Sequence, residues 1–301
     1  MIAISSPSRI GSADIAPLNT INERAMTVSL QLSAWGGHRL DRTITDEVIV
    51  AKKADKDAGK WQKALIPDKA LDAVTAAHSS AGARHRALTL PWGEKARILS
   101  ATAWFDYSRA MAEERSKCER AHREFCDAYP ALLEAAPARL GDTYRATDFP
   151  APDVIAKRFG FRLVVLPVPH QDDFRVSLGA DVEAAIRSEI EATVTSRVGE
   201  AQADLWKRLL TTVQHFARTM AEEKKTFQRT TVTNLTEIAT IAPKLSLQPN
   251  PVLDAICAEI LEITDSCDPE SLRASPKVRS RAAANAQAAV QRIESALQGA
   301  F

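Results

Sequence analysis

The feature that most constrains the fold is a long run of apolar residues at helical spacing over residues 181–225. Its apolar positions are Val182, Ile186, Ile190, Val194, Val198, Leu205, Leu209, Phe216 and Met220. This spacing predicts one helix of about 45 residues, or roughly 65 Å at 1.5 Å per residue, capped by Asp181. A helix of that length must lie against another long helix or project from the body of the protein.

A second helical run over residues 101–140 is the predicted partner. Trp104, Met111, Cys118 and Phe125 recur every seven residues, and Tyr107, Ala121 and Ala128 occupy complementary positions. Pro130 is expected to bend or end this helix, and Gly141 to stop its continuation. We therefore predict a long antiparallel, coiled-coil-like helical hairpin over residues 101–226. The sequence leaves open whether its seam forms within one chain or between two.

Short β segments are predicted before and inside this hairpin. Residues 26–35 alternate apolar and polar side chains, which is typical of a strand. Residues 87–92 and 97–99 predict a β-hairpin around Gly93. Residues 163–168 and 174–178 predict a small β element at the tip of the helical hairpin, near 161–178, after a short helix that starts at Pro152. Pro167 and Pro169 place the first of these strands at a sheet edge.

The rest of the chain completes a mainly α, α+β prediction. Residues 1–25 indicate a disordered leader and residues 26–100 an N-terminal β/α portion with a helix opened by Pro67. Residues 50–63 indicate a solvated loop or frayed helix. Residues 227–301 predict a helical C-terminal region. Its helix starts are expected at Asn234, Asn250-Pro251, Asp268-Pro269 and Ser275-Pro276.

Composition disfavours several classes of protein. The formal net charge of +1 gives no overall field for nucleic acid or membranes, and no segment has the roughly 20 apolar residues of a membrane span. The N-terminus lacks the pattern of a signal peptide, and four irregularly spaced cysteines suit a reducing cytoplasm. Nucleotide-binding and nucleophile motifs are lacking. We therefore lean against an enzyme and expect no cofactor.

Two clusters are weak candidates for a metal. CERAHREFC contains Cys118, His122 and Cys126, but the two thiols lie about 12 Å apart along a helix, whereas two zinc-bound sulfurs lie at most about 4.6 Å apart. One straight helix therefore offers two ligands at most, and Cys118 also fits the apolar seam as a small buried thiol. His170 and Asp172 form the second cluster, suited to a divalent metal or to acid–base chemistry, or else to a polar turn.

Two basic segments are weak candidates for nucleic-acid binding. The first surrounds Trp61 with Lys52, Lys53, Lys56, Lys60 and Lys63, an arrangement that can hold a single strand by charge and stacking. The second comprises Arg273, Lys277, Arg279 and Arg281. Either segment can equally be a solvated face.

The middle of the chain resembles a known family. The phrases DAYPALLEAAPARLGD, FPAPDVIAKRFGFRLVVLPVP, DDFRVSL and ADLWKRLL, within residues 67–225, are similar to the domain of unknown function 3150 of tailed phages, prophages and mobile elements. The resemblance implies no activity and no functional residues. It implies a setting in a phage or mobile element, and hence the host cell cytoplasm if a phage encodes the protein. As a partner, it implies a MoxR-type AAA+ ATPase.

The sequence thus predicts a non-enzymatic interaction or scaffold protein. It would associate with itself as a homo-oligomer, or with a protein partner, through helical surfaces. A single-stranded nucleic-acid-binding phage protein is the alternative, and a metal-dependent enzyme centred on His170 and Asp172 is the third hypothesis.

Overall fold

The computed structural model describes residues 21–222, 229–265, 272 and 275–300. Its helices are α1 (Ile21–Arg24), α2 (Arg42–Lys52), α3 (Asp72–Ala87), α4 (Trp104–Leu140), α5 (Pro152–Ala156), α6 (Ala180–Ala221), α7 (Arg229–Leu245), α8 (Pro251–Asp265) and α9 (Pro276–Ala300). Its strands are β1 (Ala25–Ser33), β2 (His38–Leu40), β3 (Gln62–Ala64), β4 (Leu90–Trp92), β5 (Ala96–Ser100) and β6 (Gly160–Pro167). The predicted mainly α, α+β class with a helical C-terminal region is confirmed.

The strands form two small sheets. The larger has the order β4-β5-β1-β6, and the smaller pairs β2 with β3. β1 pairs antiparallel with β5, with Ala25 opposite Ser100, and β4 pairs antiparallel with β5. The β4–β5 turn contains Gly93 at φ +67°, a conformation that glycine adopts without steric cost. The hairpin predicted around Gly93 is therefore confirmed, as is the strand β1.

Contacts between Cα atoms divide the chain into two compact units. Unit 1 comprises Met1–Ser29, Leu88–Phe105 and Val165–Phe301, and unit 2 comprises Leu30–Ala87 and Asp106–Val164. Each unit is therefore built from segments that are distant in sequence. The chain passes from one unit to the other within β1, within β6, between α3 and β4, and near the start of α4.

In unit 1, α6 is the central helix. Its buried stripe includes Val194, Leu205, Leu209, Phe216 and Met220, as the periodicity predicts, whereas the predicted apolar position Val182 is exposed. The helix begins at Ala180 with Gly179 as its N-cap residue, so the predicted cap at Asp181 is wrong, and it ends at Ala221. This stripe packs against α9, α7 and β4, and α7 in turn packs on α8. The sequence predicted that α4 packs along α6 as a helical hairpin. Most of α4 belongs instead to unit 2, and the observed partners of α6 are α9, α7 and β4. The C-terminal helices α7 and α9 are therefore the helices that pack against α6.

In unit 2, α4 supplies about half of the buried side chains. Trp35, Phe125 and Tyr129 form an aromatic cluster, with the rings of Trp35 and Tyr129 in an edge-on contact at 5.6 Å. The predicted seven-residue seam holds at Met111, Cys118 and Phe125. It shifts from Ala128, which is exposed, to Tyr129, because a straight helix has 3.6 residues per turn and drifts away from a strict heptad.

Several element predictions differ from the structure. Residues 174–178, all of them described, form no strand, so the predicted β tip contributes only β6. The helix α4 continues through Pro130 and Pro137, and burial of Tyr129 and Ala136 holds the turns on either side. The helix α2 was not predicted, and only its last three residues fall in the segment 50–63 that was expected to be a loop or frayed helix. The helix α7 begins at Arg229, before the expected start at Asn234.

The ends of the predicted segments also differ. Ile21 and Ala25, assigned to the leader, are buried parts of the fold, while residues 1–20 lie outside the described residues. The start at Asn250 is confirmed, because the side chain of Asn250 accepts a hydrogen bond from Leu253 N. The predicted start at Asp268-Pro269 lies outside the described residues. Within the described part of the chain, no helix combines the length and apolarity that a membrane span requires.

Candidate functional site

His170 and Asp172 lie in a short 3₁₀ turn in unit 1, at Gln171–Asp173. The Nδ1 atom of His170 accepts a hydrogen bond from Asp172 N at 3.3 Å, and His170 N donates to the Asp173 carboxylate at 3.0 Å. Asp172 itself is 70% exposed and lies 3.6 Å from Arg187. His170 and Asp173 therefore form a capping box at the start of the turn. This agrees with the polar turn that the sequence analysis gave as the alternative to a metal or acid–base site.

The helix α3 brings His78 to His122 of the CERAHREFC stretch. The two Nε2 atoms lie 2.7 Å apart, and the ring planes are nearly perpendicular, with centroids 5.0 Å apart. One imidazole therefore donates an N–H to the lone pair of the other. His122 also lies against the ring of Phe159. Among the described residues, no group of three His, Cys, Asp or Glu side chains could hold a metal ion.

Burial sets the ionisation of this helix interface. It lowers the pKa of His78 and, together with the charge of His78, the pKa of His122, so both rings favour the neutral form. Burial, and secondarily the carboxylates of Glu114 and Glu119, raises the pKa of the Cys118 thiol. A thiol with a raised pKa is a poor nucleophile, which suits Cys118 as a packing residue.

Lys63 differs from the other predicted lysines because it is buried. Its side chain is only 3% exposed, and its Nζ lies 3.0 Å from Asp41, 2.5 Å from Asp148 and 2.7 Å from the carbonyl oxygen of Thr143. Hydrogen bonds to both carboxylates outweigh burial and raise the pKa of Lys63, while Lys63 and Ile44 N lower the pKa of Asp41. Lys63 is therefore removed from the predicted nucleic-acid surface.

The same Asp41 is the N-cap of α2. Its side chain accepts a hydrogen bond from Ile44 N at 3.2 Å. At the other end of the helix, Lys53 adopts a left-handed conformation, and its backbone N–H donates to carbonyl oxygens of the last turn. None of the 11 residues of α2 is buried. Val48 is 46% exposed and Val50 is 77% exposed. The helix is thus capped at both ends, with Ile44, Thr45 and Ile49 partly buried and Val48 and Val50 exposed.

A groove lies beside α2 in unit 2, which we call the Trp61 groove. Its cavity volume is about 280 Å³. It is lined by Thr45, Val48, Ile49, Lys52, Ala54, Ala58, Gly59, Lys60 and Trp61. Trp61 is 48% exposed, and Lys52, Lys53, Lys56 and Lys60 are all exposed. Of the first basic segment, the structure therefore brings Lys52, Lys60 and Trp61 to one apolar groove, while Lys53 and Lys56 are exposed outside its lining.

The second basic segment lies at the start of α9. Arg273 is outside the described residues, and Lys277 is exposed. Arg279 donates a hydrogen bond to the carbonyl oxygen of Leu272, and Arg281 lines a cavity with Glu259 and Glu262 of α8. Acidic neighbours therefore offset the positive charge that the sequence predicted here.

Two features of this site were missed by sequence reasoning. The strand β3 places Lys63 on the same face as Leu65, and a period of two shared with a buried Leu was the available signal. The partners Asp148 and His78 have no local signal, because each lies more than 40 residues away from the residue it contacts.

Comparisons with models of protein families, with curated proteins and with solved structures found no match for this chain. The resemblance to the domain of unknown function 3150 therefore stays a prediction.

Proposed function

We propose that this chain is a non-enzymatic interaction protein of a phage or mobile element, which binds a protein partner or a second copy of itself through helical surfaces. The observation that supports it best is α2, a helix with both ends capped and no buried residue. An 11-residue helix is marginal by itself, and most helices in proteins are stabilised by burying an apolar face. A partner that covers α2 would supply that burial.

The rigid mounting of α2 also supports a binding role. Asp41 N donates to the carbonyl oxygen of Trp61 at 3.0 Å, and Trp61 N donates to the Thr45 hydroxyl at 2.9 Å. Asp41 is further fixed by the buried Lys63. A surface held in one conformation loses little entropy on binding. The helix is therefore presented as a preformed platform.

The resemblance to a phage and mobile-element family suggests the kind of partner. A MoxR-type AAA+ ATPase is the protein partner that it implies, and self-association is the other form of the same proposal. Both need the chain to offer an uncovered surface, as α2 does.

Native mass spectrometry of protein purified from its own host tests the proposal. We expect a discrete oligomer or a stoichiometric complex with one protein. The variant Val48→Asp with Val50→Asp tests whether α2 is the binding surface. It should return the chain to a monomer while leaving its circular dichroism spectrum unchanged. A wild-type chain that is monomeric and carries no partner at micromolar concentration would contradict the proposal.

Single-stranded nucleic-acid binding is the second candidate. It is favoured by the half-exposed Trp61 beside Lys52 and Lys60. It predicts salt-sensitive retention of a labelled oligo(dT), with the logarithm of affinity falling linearly with the logarithm of salt concentration. The variant Trp61→Ala with Lys60→Ala should abolish retention, and failure of the wild-type chain to shift oligo(dT) at low salt would exclude this candidate.

A further inference from the structure

We propose that the Trp61 groove docks an acidic, apolar peptide segment of a protein partner. This inference rests on the proposed function and names the chemistry of the partner at one site. The segment would place an apolar side chain in the groove and its carboxylates against the lysines at the rim.

The lining of the groove defines the apolar part of the ligand. The apolar residues of the lining are Val48 and Ile49 of α2 and Ala54, Ala58 and Trp61 of the segment that follows it. The one hydroxyl in the lining, that of Thr45, already accepts a hydrogen bond from Trp61 N. The floor therefore offers aliphatic and aromatic surface, which favours an apolar side chain, and large aromatic residues such as Trp commonly dominate the binding energy of interfaces.

The walls are fixed before any ligand arrives. Ala54 N donates to the carbonyl oxygen of Ile49 at 3.0 Å, so the loop folds back onto the last turn of α2. At the other end, the Asp41 and Trp61 backbones are joined by a hydrogen bond of 3.0 Å. The loop that faces α2 is therefore tied to the helix at both of its ends, and the groove does not have to form on binding.

The charges around the groove define the polar part of the ligand. The two charged residues in the lining are Lys52 and Lys60, and both are exposed. Asp46, Glu47, Asp55 and Asp57 are nearby in sequence but do not contribute to the lining. A ligand seated in the groove thus meets positive charge on the groove itself, and complementary carboxylates would favour its register and association rate.

A peptide fits these observations better than a nucleic-acid strand. A strand needs a positively charged path along several phosphates and aromatic platforms for successive bases. Here the lining supplies two lysines and one aromatic ring. An aliphatic floor also offers no hydrogen bonds to base edges.

Fluorescence anisotropy with three labelled probes tests the proposal on the full chain. The first probe is a helical peptide with Leu and Phe at positions i, i+3, i+4 and i+7 and Glu elsewhere. The second keeps the apolar residues and replaces every Glu by Lys, and the third is an oligo(dT) of about 15 nucleotides. We expect the acidic peptide to bind at least tenfold more tightly than the basic peptide, with little retention of oligo(dT).

Matched variants locate the binding site. Trp61→Ala should weaken binding of the acidic peptide at least tenfold, and Lys60→Glu at least fivefold. Lys69→Glu changes the net charge equally at an exposed position outside the groove and should have no effect. Since Trp61 is half-exposed, the variants should keep the wild-type circular dichroism spectrum and midpoint of unfolding.

The outcomes separate this site from the proposed function. Equal binding of the acidic peptide to the wild type and Trp61→Ala, or no binding at about 100 μM, would overturn the groove as a peptide site. Binding of oligo(dT) that Trp61→Ala abolishes would overturn it in favour of nucleic acid. If Trp61→Ala still forms the native complex seen by mass spectrometry, the groove proposal fails while the interaction function stands.

Discussion

The ammonium group of Lys63 joins two carboxylates that come from different parts of unit 2. Asp41 caps α2, and Asp148 lies in the loop between α4 and α5, where Arg39 contacts it as well, at 3.3 Å. Removal of Lys63 would deprive the buried carboxylates of Asp41 and Asp148 of the positive charge that both of them contact. Breaking one member out of a buried ion pair typically destabilises a protein by several kcal/mol.

We therefore expect Lys63→Ala to lower the free energy of unfolding by about 3 kcal/mol, near the lower end of that range because Arg39 still pairs with Asp148. Urea denaturation followed by circular dichroism measures the change. Lys60→Ala is the control, since its side chain is exposed and its loss should change stability by less than about 0.5 kcal/mol. Equal stability of the two variants would mean that the buried network does not stabilise the fold.

The contact between His78 and His122 has its own pH dependence. The ring centroids are 5.0 Å apart with the Nε2 atoms 2.7 Å apart, so the two nitrogens lie between the rings. A first added proton can bind Nδ1 of the donor ring, which leaves the hydrogen bond between the two Nε2 atoms intact. A second places two N–H groups against each other, and burial already disfavours charge on either ring.

Stability should therefore fall in acid. Both folded pKa values lie below the unfolded value of about 6.5, so the folded state binds fewer protons and the stabilisation present above pH 6.5 is lost as the pH falls. Because His78 is only half-buried, we expect the loss between pH 6.5 and 5.5 to stay below the linkage limit of about 1.4 kcal/mol per pH unit for each proton bound.

The double variant His78→Gln with His122→Gln tests this. Two amides can still hydrogen-bond but do not titrate, so the pH dependence of unfolding should flatten between pH 5.5 and 6.5. His215→Gln, at an exposed position, serves as the control and should keep the wild-type slope. A double variant with the full wild-type slope would assign the acid sensitivity to other groups.

At the level of elements, the periodicity of apolar residues predicted the long helices, and local turn signals predicted the β-hairpin. The helices α4 and α6 follow from apolar residues repeated over many turns, and their observed bounds lie close to the predicted ones. The β4–β5 hairpin follows from a glycine between two apolar runs. By contrast, α2 contains Thr43, Ile44, Thr45, Val48 and Val50, and β-branched residues give a weak helical signal.

The packing partners of helices and the pairing of strands could not be predicted in the same way, because they depend on residues distant in sequence. The apolar stripe of α6 predicts that it packs on a helix, but several stripes in this chain fit, and α9 and α7 are the partners observed. The residues 174–178 alternate like a strand, yet no neighbouring strand pairs with them among the described residues, and their side chains Val176 and Leu178 are exposed. Strand formation depends on such pairing more than on propensity.

Two glycines in helical segments should respond in opposite ways to alanine. Gly141 follows α4 at φ +52°, and an added Cβ would meet nothing within 4 Å, so Gly141→Ala adds backbone strain alone. We expect a loss of about 1 kcal/mol. Gly199 lies inside α6, also with open space around a Cβ, and Gly199→Ala should add about 0.5–1 kcal/mol.

Thermal and urea unfolding of both variants measure these changes. The pair controls for the added methyl group, because neither position has a neighbour that a Cβ would touch. A gain of stability from Gly141→Ala would show that the left-handed end of α4 is not maintained in solution.

At the scale of the whole molecule, each unit has its own buried core. In unit 2 the core includes Ile155 with Trp35 and Tyr129, and in unit 1 it includes Leu209 and Phe216. Separate cores allow units to open separately, since cooperative unfolding follows contiguous packing. The proposed docking surface lies entirely in unit 2, so its integrity depends on that core first.

Thiol labelling can follow the two units at once. Cys118 is buried in unit 2 and Cys257 in unit 1, and burial raises the pKa of Cys257 to about 12, so both thiols react slowly until their surroundings open. Cys126, which is partly exposed, and Cys267, outside the described residues, would first be replaced by serine. The reporters that remain are then one in each unit.

Crossing these reporters with one core substitution per unit gives the last prediction. Ile155→Ala in unit 2 and Leu209→Ala in unit 1 each remove a fully buried side chain, at a cost of about 3 kcal/mol. When labelling follows the population of the open state, that cost corresponds to an acceleration of about 100-fold. We expect Ile155→Ala to accelerate labelling of Cys118 far more than that of Cys257, and Leu209→Ala to do the reverse. If both substitutions accelerate both thiols equally, the two units unfold as one cooperative body, and damage to the core of unit 1 would then also abolish binding at the Trp61 groove.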